Sequence, residues 1–260
     1  MSENKLFPEL QILAFHKLSS KFTYGVTNYT PNRFEKLLQN LNKDFTFSSF
    51  NNLNEIENKR LIISFDDGYA HLKDALIPLI KKYNIKPIIF IPTAFIGKNN
   101  SWDYSYIFQN DPHLSVSEIR ELSGLGVTFG SHGHSHNDLT CMEKSKIKEE
   151  LKKSKTILED ITGEEVNTIS YPFGRTSNLV CDMASELGYK YGVTMKFPDT
   201  NDNLLSIGRI PIYSYDMPFN IMQKINRGHL YKLEKSKASF TNFLSGGTVI
   251  FNKLFKRNIK

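Results

Sequence analysis

Short apolar runs alternate with stretches of helical periodicity along this chain, the pattern of βα units wrapped around a parallel sheet or barrel. Leu10 to Phe15 (LQILAF) reads as a first strand, and Thr30-Pro31 opens a helix that carries Phe34, Leu37, Leu38 and Leu41 on one face. Leu61 to Phe65 (LIISF) is a continuous apolar run of the kind a strand shows when both faces are covered. A helix over Ala70 to Tyr83 follows, then strands over Pro87 to Ile91 and Val127 to Gly130. Thr140 and Glu143 have capping-box spacing ahead of a long charged helix that ends near Gly163. Further on come a strand over Thr168 to Tyr171, a helix over Asn178 to Leu187 stopped by Gly188, and strands over Tyr191 to Met195 and Leu205 to Ile212. About seven strands with intervening helices predict an α/β fold closed into a small, distorted (β/α) barrel, with an open doubly wound sheet as the alternative.

That pattern decides where polar side chains can gather. The LIISF strand ends at Asp66-Asp67-Gly68, and the strand over Val127 to Gly130 delivers Ser131-His132-Gly133-His134-Ser135-His136 to the same rim. The C-terminal rim of a parallel sheet is where α/β folds place their chemistry. His132 and His136, four apart, face one side on either a helical turn or an extended segment. With one carboxylate they make a three-ligand divalent-metal site that leaves positions for water, the form of a catalytic zinc centre. Adjacent aspartates on an extended strand end point in different directions, so one ligates and the other acts on water. Such a centre lets water attack an amide or ester at neutral pH. Zn2+ is the expected ion, with Co2+, Mn2+, Ni2+ or Fe2+ as alternatives.

Composition narrows the class. The 260 residues, 40% of them hydrophobic, suffice for one domain with a sizeable core. No apolar stretch reaches the roughly 18 residues of a spanning helix, and no export signal is visible, so the expectation is a cytoplasmic protein. Cys141 and Cys181 are too few for a disulfide framework and are read as reduced thiols. The net charge of +6 is uneven, with nine Lys or Arg against one acid from Lys224 onward. From Thr248 to Lys260 apolar Ile250, Phe251, Leu254, Phe255 and Ile259 recur at helical spacing among basic residues. Residues 246–260 are therefore set apart from a 1–245 catalytic domain as a basic amphipathic tail, fit for packing on the barrel or for peripheral contact with the inner membrane face. Nucleic-acid binding is not expected, because those basic residues lack interleaved aromatic side chains.

With these motifs the chain resembles the polysaccharide deacetylases, carbohydrate esterases that share the chitooligosaccharide-deacetylase homology domain. The resemblance runs from Leu13-Ala14-Phe15-His16 to about Arg209-Ile210-Pro211 and rests on Ser64-Phe65-Asp66-Asp67-Gly68 and on His132 to His136. It implies a distorted TIM-like barrel, with Asp66 as general base and Asp67, His132 and His136 as metal ligands. It also implies an acetylated glycan, or a lipid-linked saccharide, as partner. The family's Arg-x-Pro-Tyr-Gly motif reads here Ser170-Tyr171-Pro172-Phe173-Gly174, with Ser170 in place of an arginine that braces the catalytic carboxylate. Arg175 or Arg209 could reach that place from a neighbouring loop. The backbone N–H of Phe173 is the expected oxyanion donor. Tyr171, Pro172, Phe173, Arg209 and the loop tryptophan Trp102 are the expected substrate contacts.

The family's late Leu-x-His motif, which supplies the acid for the leaving amine, has no match after the last strands. His134 and His229 are candidates for that role. For His16 a structural hydrogen bond is the expected role. Two other readings compete with an N-deacetylase of amino-sugar residues. One is an amidohydrolase-like enzyme using His132, His134 and His136 on a small amide; the other is an inactive glycan-binding module.

Overall fold

The computed structural model describes residues 10–21, 25–53, 59–101, 111–198 and 203–254, with side chains as far as Asn242. Seven parallel strands form the main sheet in the order β10 (Ile210–Pro211), β1 (Leu10–Phe15), β5 (Arg60–Phe65), β6 (Ile88–Ile91), β7 (Thr128–Ser131), β8 (Thr168–Ser170) and β9 (Tyr191–Val193). The short β4 (Thr46–Phe47) pairs with the start of β5, and β2 (Lys17–Leu18) pairs with β3 (Asn28–Tyr29) in a separate ribbon. At the seam, Val193 bridges Ile207 in parallel, and Arg209 N–H donates to Lys196 O. The sheet thus curls into the expected distorted barrel, its last strand pairing through an irregular segment.

Helices α1 (Pro31–Leu41), α2 (His71–Tyr83), α4 (Lys144–Thr162) and α5 (Asn178–Glu186) fall where the periodicity predicts them. Two were not anticipated, α3 (Val116–Gly124) and α6 (Pro218–Ile225), while α7 (Tyr231–Leu254) begins 17 residues ahead of the helical spacing read from Thr248. The cap of α3 was legible, because Ser115 and Glu118 form a reciprocal capping box. The same spacing at Thr140 and Glu143 forms none. There, Asp138 takes both the N–H and the hydroxyl of Thr140, and Glu143 itself stands at the N-cap of α4. Leu205 to Ile212 keeps strand geometry only at β10. Helix α7 runs on through position 246, and the last six residues of the predicted tail lie outside the described residues.

Two apolar layers follow from period-two alternation along the strands. Ile12, Ile62, Ile88, Phe90 and Val193 fill the barrel, closed at the strands' N-terminal end by Phe50 and Leu53. Leu13, Phe15, Ile63, Phe65, Phe129 and Ile169 face outward and pack under the helices. The parity that turns Ile62 inward also turns Ser64 and Asp66 inward, and that of β7 places Gly130 and His132 on the inner line. A Cβ at Gly130 would lie 2.5 Å from the Phe90 ring, so this strand approaches closely only with glycine there.

Candidate functional site

At the upper end of the barrel the inner line becomes polar. Asp66, 2% exposed, receives a bidentate pair from Arg209: Nη1 to Oδ1 at 2.8 Å and Nη2 to Oδ2 at 2.7 Å. Arg209 is fully buried, and its remaining donors go to Ser64 Oγ, Ser170 Oγ and the Thr194 carbonyl. Burial by itself would raise the Asp66 pKa, but the charges of Arg209 and His132 outweigh it and hold the carboxyl down at about 2. Ser170 explains how this brace fits. Its small side chain leaves room for the guanidinium arriving from the start of β10, and its hydroxyl links Arg209 to Asp66 Oδ2 at 3.2 Å.

Asp67 cannot share the direction of Asp66 on a regular strand, and its φ of +70° breaks the alternation. This turn is completed by Gly68, whose φ is +61° and where a Cβ would meet Ile91 Cδ1 at 2.2 Å. Asp67 Oδ1 then lies 3.4 Å from His132 Nε2 and 3.5 Å from His136 Nε2, and the two imidazole nitrogens are 3.2 Å apart. All three residues are buried, and they form the one potential metal-binding group of this kind found among the described residues.

Two observations test whether a cation fits. Ligand atoms about 2.0–2.2 Å from a tetrahedral ion lie about 3.3–3.6 Å from one another, which is the size of this triangle. His132 Nδ1 donates to the Ser170 carbonyl at 2.7 Å, so in the neutral ring Nε2 presents a lone pair to Asp67 Oδ1, itself an acceptor. Two acceptors 3.4 Å apart, with His136 Nε2 beside them, require a proton or a cation between them. Burial pushes both imidazoles toward neutrality. The two aspartates reverse this at His132, whose pKa is raised, while His132 itself helps to depress His136 to about 3. Two charged imidazoles are therefore not held side by side here.

Phe173 lies across the rim in the turn Pro172–Gly174, with φ +58°, and its ring packs edge-on against His136 with centroids 4.9 Å apart. The turn's backbone hydrogen bonds, Gly174 to Tyr171 and Arg175 to Pro172, leave the Phe173 N–H out. Asp67, His136 and Phe173 all have positive φ, and non-glycine residues in that region cost about 1–3 kcal/mol each unless the surroundings hold them. Such a concentration of strain is a mark of a functional site.

Several expected contacts are corrected by burial. Tyr171 is fully buried, with its hydroxyl donated to the Leu205 carbonyl at 2.8 Å, so it is a core residue and not a sugar contact. Pro172 is buried as well, and Arg209, also inaccessible, braces Asp66 instead of meeting substrate. Arg175, the other candidate brace, pairs with Asp138. His134 does not join the acceptor triangle; its Nδ1 lies 2.9 Å from Thr93 Oγ1. The three-histidine ligand set of the amidohydrolase reading is therefore not formed. His229 is exposed beside Phe219 on the α6–α7 side. Trp102 lies outside the described residues. His16 does not make the expected structural hydrogen bond through Nδ1, which is buried with no partner among the described residues.

Comparison with known proteins agrees with this geometry. The family model for polysaccharide deacetylases matches residues 54–192, more than half of the chain and the span that holds both motifs. The poly-beta-1,6-N-acetyl-D-glucosamine N-deacetylase of Staphylococcus aureus (strain MRSA252) is 28% identical over 153 residues, covering 54% of this chain and 50% of that protein. The chain spans about half the length of the curated relatives it matches. Among solved structures, the Streptococcus pyogenes deacetylase PplD in complex with acetate superposes with a TM-score of 0.72 at 23% identity, over 83% of this chain and 97% of that one. BC0361, a polysaccharide deacetylase from Bacillus cereus, gives 0.70 at 23% identity, over 83% of this chain and 68% of that one. These likenesses carry the fold, and the family match carries the descent: the chain belongs to the polysaccharide deacetylase family.

Proposed function

We propose that this chain is a metal-dependent hydrolase that removes N-acetyl groups from amino-sugar residues of a cell-surface polysaccharide or its lipid-linked precursor. The observation that carries the reading is the acceptor triangle of Asp67, His132 and His136 beside a carboxylate held ionised by Arg209. A divalent cation held there, Zn2+ first, would polarise the acetyl carbonyl and lower the pKa of water. Asp66, ionised and unable to rotate away from its guanidinium clamp, takes the proton from the attacking water. The Phe173 N–H, left out of the turn's own hydrogen bonds, would donate to the charge that develops on the carbonyl oxygen. The staphylococcal relative makes β-1,6-linked N-acetylglucosamine the first substrate to test.

Acetate release from a panel of N-acetylated and O-acetylated glycans, with and without a chelator, tests the reading. Release is expected from N-acetylglucosamine oligomers, to disappear on chelation and to return with zinc. Unchanged release after chelation would sink the metal reading, and sugar binding without any release would favour the inactive module.

The leaving amine needs a proton, and His16 is better placed to give it than His134. It follows Phe15, whose carbonyl accepts the Asp66 N–H at 2.9 Å, and its Nδ1 is buried with no partner among the described residues. His16→Gln is expected to lower kcat by about 10² or more, with His134→Gln within about threefold of the parent. The reverse ranking would return the acid role to His134.

A further inference from the structure

Around the bend at Asp67 and Gly68 the described residues include a second buried polar group that the chemistry above does not use. Residues 111–114 lie antiparallel to the bend. Leu114 N–H donates to the Gly68 carbonyl at 2.9 Å, Ala70 N–H donates to the Pro112 carbonyl at 2.8 Å, and His113 Nδ1 lies 2.7 Å from the Asp67 carbonyl oxygen. A carbonyl only accepts, so the ring is the donor and its Nδ1 carries the proton. The imidazole is stacked on Tyr69 with centroids 5.0 Å apart and packs at a tilt against Phe95 at 5.5 Å. Tyr69 is in turn covered by Lys17, whose ammonium lies 4.5 Å from the ring centroid and 2.6 Å from Asp111 at the head of the same segment. The other nitrogen, Nε2, is buried with no partner among the described residues.

We infer that His113 is a positioning residue for the metal centre: its Nδ1–H holds the Asp67 carbonyl and so fixes the left-handed backbone that aims the Asp67 carboxylate at His132 and His136. A left-handed non-glycine residue stays put only where its surroundings over-determine it. The 111–114 segment does so with three hydrogen bonds to the bend, of which His113 supplies the one that reaches the strained residue itself. The stack from Lys17 through Tyr69 to His113 keeps the ring from swinging away. His113 is not one of the three residues of the metal group, and its effect passes through the Asp67 carbonyl it holds.

The inference rests on the metal reading proposed above, and the experiment separates the two. Zinc affinity of the full chain is measured by competition with a chromophoric chelator for the parent, His113→Leu and His113→Asn. Asparagine places an amide N–H near the position of Nδ1, and leucine offers no donor. His113→Leu is expected to weaken zinc binding by about 10- to 100-fold, with His113→Asn within about threefold of the parent. In turnover, His113→Leu lowers kcat with little change in KM. A leucine variant that binds zinc like the parent would overturn the inference, as would equal losses in both variants, which would assign the effect to ring packing. Should the leucine variant not fold, His113→Gln, whose donor sits one bond too far out, is judged by the leucine criterion. A parent chain that binds no zinc overturns the metal reading and this inference with it.

Discussion

Arg209→Met is expected to lower the melting temperature by about 6–20 °C, because removing one partner of a buried ion pair costs about 3–5 kcal/mol in a chain of this size. The cost arises at Asp66, which keeps its burial and loses the two donors that hold it ionised. The pH dependence of stability should change sign with it. In the parent, the Asp66 pKa of about 2 lies below the ordinary 3.8, so the pair's contribution is complete above 3.8 and is lost as pH falls through about 2. In Arg209→Met burial dominates and the carboxyl titrates above 3.8, so the folded state binds the extra proton and stability falls as pH rises through that window. The acid limb of the activity profile should move to higher pH for the same reason. Thermal melts from pH 3 to pH 8 check both. An unchanged melting temperature would mean that Arg209 is a spectator. Asp66→Leu/Arg209→Met, which removes both charges, should recover much of the stability and none of the activity.

Asp66→Asn is expected to lower kcat by about 10²–10⁴ while leaving zinc affinity within a few fold, since general-base catalysis contributes on that scale and the three acceptors stay in place. The amide cannot accept a proton at neutral pH, and it leaves Arg209 without its counter-charge, so the comparison is made well below the variant's own melting temperature. Acetate release and zinc competition on the same preparation separate the outcomes. Residual activity within tenfold of the parent would remove Asp66 from the mechanism. Weakened zinc binding would instead make Asp66 a ligand and require a different base.

These two side chains show how unevenly the site was legible. The apolar run that ends in Asp66-Asp67-Gly68 and the spacing of His132 and His136 are local features, and strand parity together with rim placement brought them together correctly. The brace on Asp66 is not local. Ser170 breaks the expected motif, and Arg209 lies 143 residues from the carboxylate it clamps, so only the curled sheet brings the two together. Burial corrected the substrate contacts for a similar reason. Tyr171 and Arg209 carry polar groups that suit a sugar, but whether such a group faces solvent or a backbone carbonyl is settled by the packing around it.

By itself the sequence determined the βα alternation, the paired motifs at the rim and the convergence there of His132, His136 and one aspartate. These depend on period, spacing and residue type, which are properties of neighbouring positions. Only the tertiary structure decided that Arg209 supplies the missing guanidinium, that His134 turns to Thr93 and that His113 holds the bend at Asp67. These contacts join residues that are distant along the chain, and hydrophobic collapse places them without leaving a periodic trace in the order of the amino acids.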